Sequence, residues 1–485
     1  MSPRSSAKTR ELERDTMDVD GTRSVVPPIY PSTTYARAYD HSLPNLGGRD
    51  LCYARPDNPS VRAAEETLCD LEGGADCALF SSGMAALHAA LEGSMRACVQ
   101  STARDDVFVA APTCAYFAVR FRILEWCASR NIEVVSYDPD LPFSVYGLDP
   151  STEEVREESE AKARRSGYAG KSLRTVLREQ RDVGRRAMMV WIESPANPGW
   201  DHVDIQSAVD AARRCDAFYV CVDATVTTPI IMNPLALGAD LVMHSATKYL
   251  NGHGDVVAGA LVTRVEDETW RCVTHERKLG GATLGAFDAY LLSRGMRTLE
   301  LRVKRQSTTA IWLANAMKEF IDKVREDTGV EAGVVLYPGL VPGFAKQCKE
   351  HDVDDECTPD GSTKRTYHGG MMSLCFYDFL GSKTDEKKVR VERLVTFCRM
   401  FATSCTIWTC ATSLGGFESL IEHRYSVEEP GSMDPFIPFG LLRLSVGLED
   451  RRELLKDLKS AFWRALDHMR KQEGVNVDSL RSLDK

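Results

Sequence analysis

Lys248 stands in the stretch HSATKYLNGHGDVVAG, with Ser245 and Thr247 just before it and an apolar run upstream. Two hydroxyls beside an amine can hold a phosphate while the amine attacks a carbonyl, provided burial lowers the amine's reference pKa of about 10.4. Schiff-base chemistry needs such a lysine. Most lysines are simply solvated, and that reading stays open. Ser245-Ala246-Thr247-Lys248 also fits the SxxK pattern of serine β-lactamase-like enzymes, but the SDN and KTG partners of that pattern are absent.

Asp223, in CVDATVTTP, ends an apolar run 25 residues before Lys248. A carboxylate at the carboxyl end of a strand points into the ligand crevice of an open α/β sheet, although Asp also caps turns. Facing a pyridine nitrogen, it keeps the ring protonated and makes it an electron sink. A third group lies in LEGGADCALFSSGMAALHAAL, where Ser81-Ser82-Gly83-Met84 separates a strand from a helix. Free N–H groups at a helix start, with hydroxyls and a glycine allowing close approach, suit phosphate, yet many such turns hold no ligand. Together the turn, the lysine and the aspartate specify pyridoxal phosphate far better than any one of them alone.

The elements needed to position these groups are legible. Apolar runs at 77–80, 107–111, 132–137, 187–192, 218–222 and 240–245 alternate with helix-compatible segments, which predicts a mainly parallel sheet wrapped by helices. Val61, Ala64, Leu68 and Leu71 recur at helical spacing before a Gly73-Gly74 stop. A long helical stretch after Gly285, with a break at Gly295, leads to a second unit with apolar runs at 334–337, 371–377 and 441–446 and helices near 387–401 and 449–471. We expect an extended arm over 1–50, a large cofactor-binding domain over 51–297 with a charged, solvated insertion near 151–186, and a small domain over 298–485 with a polar, mobile loop near 349–366.

The 485 residues carry 60 Lys plus Arg against 70 Asp plus Glu, a net charge of −10 that disfavours nucleic acid as a partner. The 15 cysteines form no CxxC pair, so neither a disulfide framework nor a metal site is expected. Their apolar settings suit a reducing compartment. The acidic first 22 residues fit no signal or transit peptide, and no apolar run approaches the length of a membrane span. A soluble cytoplasmic protein is expected, with no membrane partner.

Ten ordered stretches, PPIYPSTTY, YARPDNPSV, LEGG, SSGMAAL, ESPANP, VDATVTTP, NPLALGADLVMHSATKYLNGH, GAFDAYLLSRGMRTL, SLGGFESL and LLRLSVGLED, resemble the pyridoxal-phosphate enzymes of cysteine and methionine metabolism. This trans-sulfuration family includes cystathionine γ-synthase, cystathionine γ-lyase and methionine γ-lyase. The resemblance covers nearly everything between residues 27 and 460. It implies an α/β architecture of the aspartate-aminotransferase type, PLP-dependent transferase fold type I, with a large mainly parallel-sheet domain and a smaller C-terminal α/β domain. It makes Lys248 the imine-forming lysine and proton shuttle, Asp223 the pyridinium partner and Tyr116 the ring-stacking tyrosine. Gly83, Met84, Ser245 and Thr247 become phosphate ligands. Asn197 contacts the ring hydroxyl, and Thr225 joins the cofactor set. Arg443 clamps the substrate α-carboxylate with Ser413 beside it, a task suited to a bidentate guanidinium fork. Tyr53 and Arg55 reach a neighbouring subunit's cofactor phosphate, in a homo-oligomer expected to be a dimer of dimers.

The implied reaction is γ-replacement on an O-acyl-homoserine, with γ-elimination from cystathionine or methionine as the alternative and a non-catalytic relative as the remote one. Departures from the family pattern fall on the substrate side. Phe117 and Ala118 stand where two glycines are common, Ala224 replaces Asn, Gly254 replaces Ser, and Thr412 stands where cystathionine enzymes carry Glu. His423-Arg424-Tyr425-Ser426 replaces a His-Pro segment.

Overall fold

Short apolar runs bounded by turn signals form strands buried on both faces when helices cover a parallel sheet, and the computed structural model builds its main sheet from them. It describes residues 24–36, 51–101, 106–139, 171–328, 331–341, 343–352, 364–377, 379–380, 386–427 and 437–473. The predicted runs become β1 (Asp76–Phe80), β2 (Val107–Pro112), β3 (Glu133–Tyr137), β4 (Arg186–Glu193), β5 (Val220–Asp223) and β6 (Leu241–His244). A seventh strand, β7 (Gly259–Thr263), was not expected. The order is β1-β7-β6-β5-β4-β2-β3. Strands β3, β2, β4, β5 and β6 run parallel, and β7 pairs antiparallel with both β6 and β1.

Glu193, Asp223 and His244 therefore end three neighbouring strands at the same edge of the sheet. Helix Gly83–Ser101 follows β1 and covers one face, with Ala86, Leu87 and Ala90 against Val109 and Leu261. The helix Pro59–Glu72 arises from a local code. The Asn58 side chain accepts from Ser60 N–H, Pro59 occupies the first turn, and Gly73 at φ 68° returns its N–H to the last carbonyls.

The helical stretch after Gly285 divides into Ala286–Met296 and Leu299–Thr328. The longer helix joins two cores, because Leu299 and Val303 pack in the main core while Ala310, Leu313, Met317 and Ile321 pack in a second. That second core lies on a sheet of β8 (Gly333–Leu336), β11 (Met371–Phe376), β12 (Thr409–Cys410), β13 (Leu420–His423) and β14 (Leu441–Ser445), in the order β12-β13-β14-β11-β8. Helices Lys387–Ser404 and Arg451–Glu473 close over it around Phe376, Phe397 and Phe462.

Two expectations need correction. The charged segment near 151–186 lies partly outside the described residues, but its end forms helix Leu173–Asp182, which buries Leu173, Val176 and Leu177. One apolar turn suffices to dock a polar helix, so this part is not a solvated insertion. The polar loop near 349–366 begins and ends as an antiparallel pair, β9 (Glu350–Asp352) with β10 (Lys364–Thr366); residues 353–363 lie outside the described set. Among the described residues no helix is long and apolar enough to cross a membrane.

Candidate active site

Lys248 lies in the turn after β6, and its Nζ donates to Ser413 Oγ at 3.0 Å. Burial lowers the amine to about 8, the positive charge of Arg443 adds to that, and Glu422 opposes it. Ser413 holds φ at +88°, a conformation a serine adopts only where its surroundings fix it. Its carbonyl accepts from Arg443 Nη2 at 2.9 Å.

Deeper in the site, Asp223 and Glu193 are register partners on β5 and β4. Asp223 accepts from Thr225 N–H at 2.9 Å, and burial raises its pKa. Glu193 accepts from Tyr116 N–H at 2.7 Å and Asn197 N–H at 3.0 Å, and burial together with the charge of Asp223 pushes it up to about 8. Behind Asp223, the buried His244 Nε2 lies 2.6 Å from Glu72 Oε1.

Two turns meet where a phosphate would sit. Ser82 Oγ accepts from Ala85 N–H at 3.1 Å and Ser82 carbonyl from Ala86 N–H at 3.1 Å, so the first-turn N–H groups of Gly83 and Met84 have no partner within the helix. A Cβ on Gly83 would lie 3.1 Å from Ser245 Cβ, so the glycine lets the two turns close up. Thr225 Oγ1 braces Ser245 by accepting its N–H at 2.8 Å. The Thr247 hydroxyl is engaged with Ala258, donating to the carbonyl at 3.1 Å and accepting the N–H at 2.9 Å.

Arg443 comes from β14, where its register partners are Ser373 on β11 and Glu422 on β13. Its Nη1 donates to Asn197 Oδ1 at 3.2 Å and its Nη2 pairs with Glu422 Oε2 at 2.6 Å. Burial lowers its pKa to about 10. Ser373 also ties the two sheets together, since it accepts from Trp200 Nε1 at 2.9 Å and donates to the Pro198 carbonyl at 3.0 Å. Tyr116 precedes helix Phe117–Ala128, and its phenol is raised by burial while Arg424 and Arg443 oppose that shift.

The structure thus brings Lys248, Ser413, Arg443 and Asn197 into one network, and sets Tyr116 and Asp223 on either side of Glu193. Within the single chain Tyr53 and Arg55 stand apart. Tyr53 is 48% exposed, and Arg55 Nη1 donates to the Lys278 carbonyl at 2.9 Å. Three buried residues escaped assignment from sequence: Glu193, Glu422 and Arg424. Glu193 had a signal, because ESPANP closes an apolar run as VCVD does, and adjacent parallel strands bring such endings together.

The arrangement fits pyridoxal phosphate. A buried lysine whose amine is lowered to about 8 can form the imine, a buried carboxyl can face the ring nitrogen, and a glycine-opened turn with free N–H groups and a serine can take the phosphate.

The sequence profile of the Cys/Met metabolism PLP-dependent enzyme family matches residues 8–131 and 171–463. The chain is 31% identical over 446 residues to L-methionine gamma-lyase of Porphyromonas gingivalis, covering 89% of this chain and 91% of that one. It is 31% identical over 464 residues to cystathionine beta-lyase of Lactococcus lactis subsp. cremoris, covering 94% and 98%. The crystal structure of cystathionine gamma synthase from Xanthomonas oryzae pv. oryzae in complex with cystathionine superposes with a TM-score of 0.68 at 28% identity, covering 96% of this chain and 98% of that chain.

Proposed function

Because the chain belongs to the Cys/Met metabolism PLP-dependent enzyme family, we propose that it catalyses γ-replacement on an O-acyl-homoserine, with a thiol as the incoming group. Its cofactor is pyridoxal 5'-phosphate, and its reaction is of the transferase and carbon–sulfur lyase kind found in cysteine and methionine metabolism. The observation behind a lysine-based γ-reaction is Lys248, whose amine sits 3.0 Å from Ser413 Oγ and is lowered to about 8, and what favours replacement is the likeness to a cystathionine gamma synthase.

Pyridoxal phosphate supplies an aldehyde that joins the substrate amine and a ring that accepts the electron pair left when a proton departs from carbon. Gly83, Met84 and Ser245 would hold its phosphate, Asp223 would keep its ring nitrogen protonated, and Asn197 and Tyr116 would line its ring. Arg443 holds the substrate α-carboxylate and orients the Cα–H bond toward Lys248. Lys248 Nζ takes that proton and, with its amine lowered to about 8, can release it and take a second from Cβ. γ-Chemistry needs both removals by a base in one place. Ser413 Oγ anchors the amine between them.

Likeness to a methionine γ-lyase favours a second reading, γ-elimination, in which no thiol adds and the product hydrolyses to an oxoacid and ammonia. We also infer a homo-oligomer, since Tyr53 is half-exposed and Arg55 donates to the Lys278 carbonyl rather than joining the network around Lys248. Free and mostly buried cysteines support a cytoplasmic location. Incubating the purified holoenzyme with O-acetyl- or O-succinyl-homoserine, with and without cysteine, tests the reaction. Formation of cystathionine only when both are present supports replacement. Oxoacid and ammonia released from cystathionine or methionine, without cystathionine synthesis, overturn it in favour of elimination.

A further inference from the structure

Arg424 lies in the wall of the site, and the reaction above gives it no task. It begins the one-turn helix Arg424–Val427, directly after β13, and is buried. Its Nη1 donates to Glu422 Oε2 at 2.7 Å, the same oxygen that Arg443 Nη2 approaches at 2.6 Å. One carboxylate oxygen is thus held between two guanidinium groups, and all three side chains are at most 6% exposed. On its other side Arg424 Cζ is 5.9 Å from the centre of the Phe117 ring, which packs edge-on against Tyr116 at 4.8 Å.

The segment carrying Arg424 is pinned. His423 donates from Nε2 to the Phe439 carbonyl at 2.7 Å and accepts at Nδ1 from Ser426 Oγ at 2.7 Å, while Arg399 Nε donates to the same hydroxyl at 2.7 Å. Burial lowers His423 to about 4, so the ring is neutral and can play both parts.

An arginine paired to an internal carboxylate is compromised as a receptor for a second one. The two anions would share one cation in a setting where water screens little. A second guanidinium on the internal carboxylate removes the conflict, because Glu422 keeps Arg424 when Arg443 turns its fork to the ligand. We propose that Arg424 is a positioning residue that holds Glu422 so that Arg443 can receive the α-carboxylate of an amino-acid substrate. The proposal rests on reading Arg443 as the carboxylate clamp. It makes the ion triad the element that distinguishes an amino acid from the amine lacking its carboxylate.

The test titrates the full-length holoenzyme with L-norvaline, which has no γ leaving group, and with n-butylamine, the same molecule without the carboxylate. The visible absorption of the lysine-bound cofactor reports Kd for each. Wild type binds norvaline more tightly. In Arg424→Met the norvaline Kd rises at least about tenfold while that of butylamine moves less than about threefold. Adding Glu422→Gln to Arg424→Met removes the stranded anion and returns norvaline to within about threefold of wild type. Arg424→Lys keeps the charge and stays within about fivefold, and Arg424→Gln, with the same expected rise for norvaline, replaces the methionine variant in the comparison if that one does not fold. Equal weakening of both ligands by Arg424→Met, or a double variant no better than the single one, overturns the proposal and leaves Arg424 a packing role. Absence of any norvaline preference in wild type overturns the reading of Arg443 itself, and the proposal with it.

Discussion

Glu193 and Asp223 end adjacent parallel strands as register partners, and their carboxyls share a buried pocket in which Glu193 is pushed up to about 8. The fold therefore holds a proton that the unfolded chain gives up in the ordinary carboxylate range. Stability from this group is complete at acid pH and is lost as pH rises to about 8. In the cofactor-free protein this one proton makes stability fall by up to about 1.4 kcal/mol per pH unit across that window. Glu193→Gln has nothing to titrate, so its unfolding free energy, measured by denaturant from about pH 5 to about pH 8, should vary less with pH than that of wild type. Parallel slopes in the two proteins would remove Glu193 as the group responsible.

Asp223 is buried at the end of β5 and accepts from Thr225 N–H. Asp223→Ala should fold, bind pyridoxal phosphate more weakly and retain little turnover, because an unprotonated ring accepts electrons poorly. Equilibrium dialysis and steady-state rates measure both. An unaffected rate takes Asp223 out of the site.

The same strand-end logic shows how much of the site sequence alone can supply. Lys248, Asp223 and the Ser81-Ser82-Gly83-Met84 turn are legible because each sits where an apolar run stops, and parallel sheets gather such endings along one edge. Arg443 and Ser413 follow from the family resemblance. The triad of Glu422, Arg424 and Arg443 is not legible, since it depends on the register of β13 against β14 and on a one-turn helix. β7 was missed because GALVT is short and rich in small residues, and because it runs against the parallel pattern. The segment that forms helix Leu173–Asp182 reads as helix-compatible, but its burial does not, because Leu173, Val176 and Leu177 make a single apolar turn followed by charged residues.

Tyr53 and Arg55 make the oligomer testable. A Lys248→Ala protomer mixed with an Arg55→Ala protomer should form hybrid dimers with one intact site each, so activity should rise above that of either variant alone. No complementation, once subunit exchange is demonstrated by mass or fluorescence, would mean that Arg55 serves its own chain.

Thr412 precedes Ser413 and is exposed. At that exposed position it offers a hydroxyl where a carboxylate could meet a distal ammonium in a water-screened pair worth about 0.2 to 1 kcal/mol. We expect cystathionine to be used up to about fivefold less well than substrates with uncharged distal groups, and Thr412→Glu to narrow that gap. The ratio of kcat/KM values for cystathionine and for an O-acyl-homoserine with a simple thiol reads it out. An unchanged ratio in the variant shows that position 412 does not read the distal group.

The role of Lys248 as covalent anchor is tested most directly by reducing the holoenzyme with borohydride and locating the pyridoxyl group by peptide mass mapping. The label should fall on Lys248 alone, and Lys248→Ala should bind the cofactor through its phosphate, take up no label and lose turnover by several orders of magnitude. A label on another lysine, or near-normal turnover in Lys248→Ala, would contradict it.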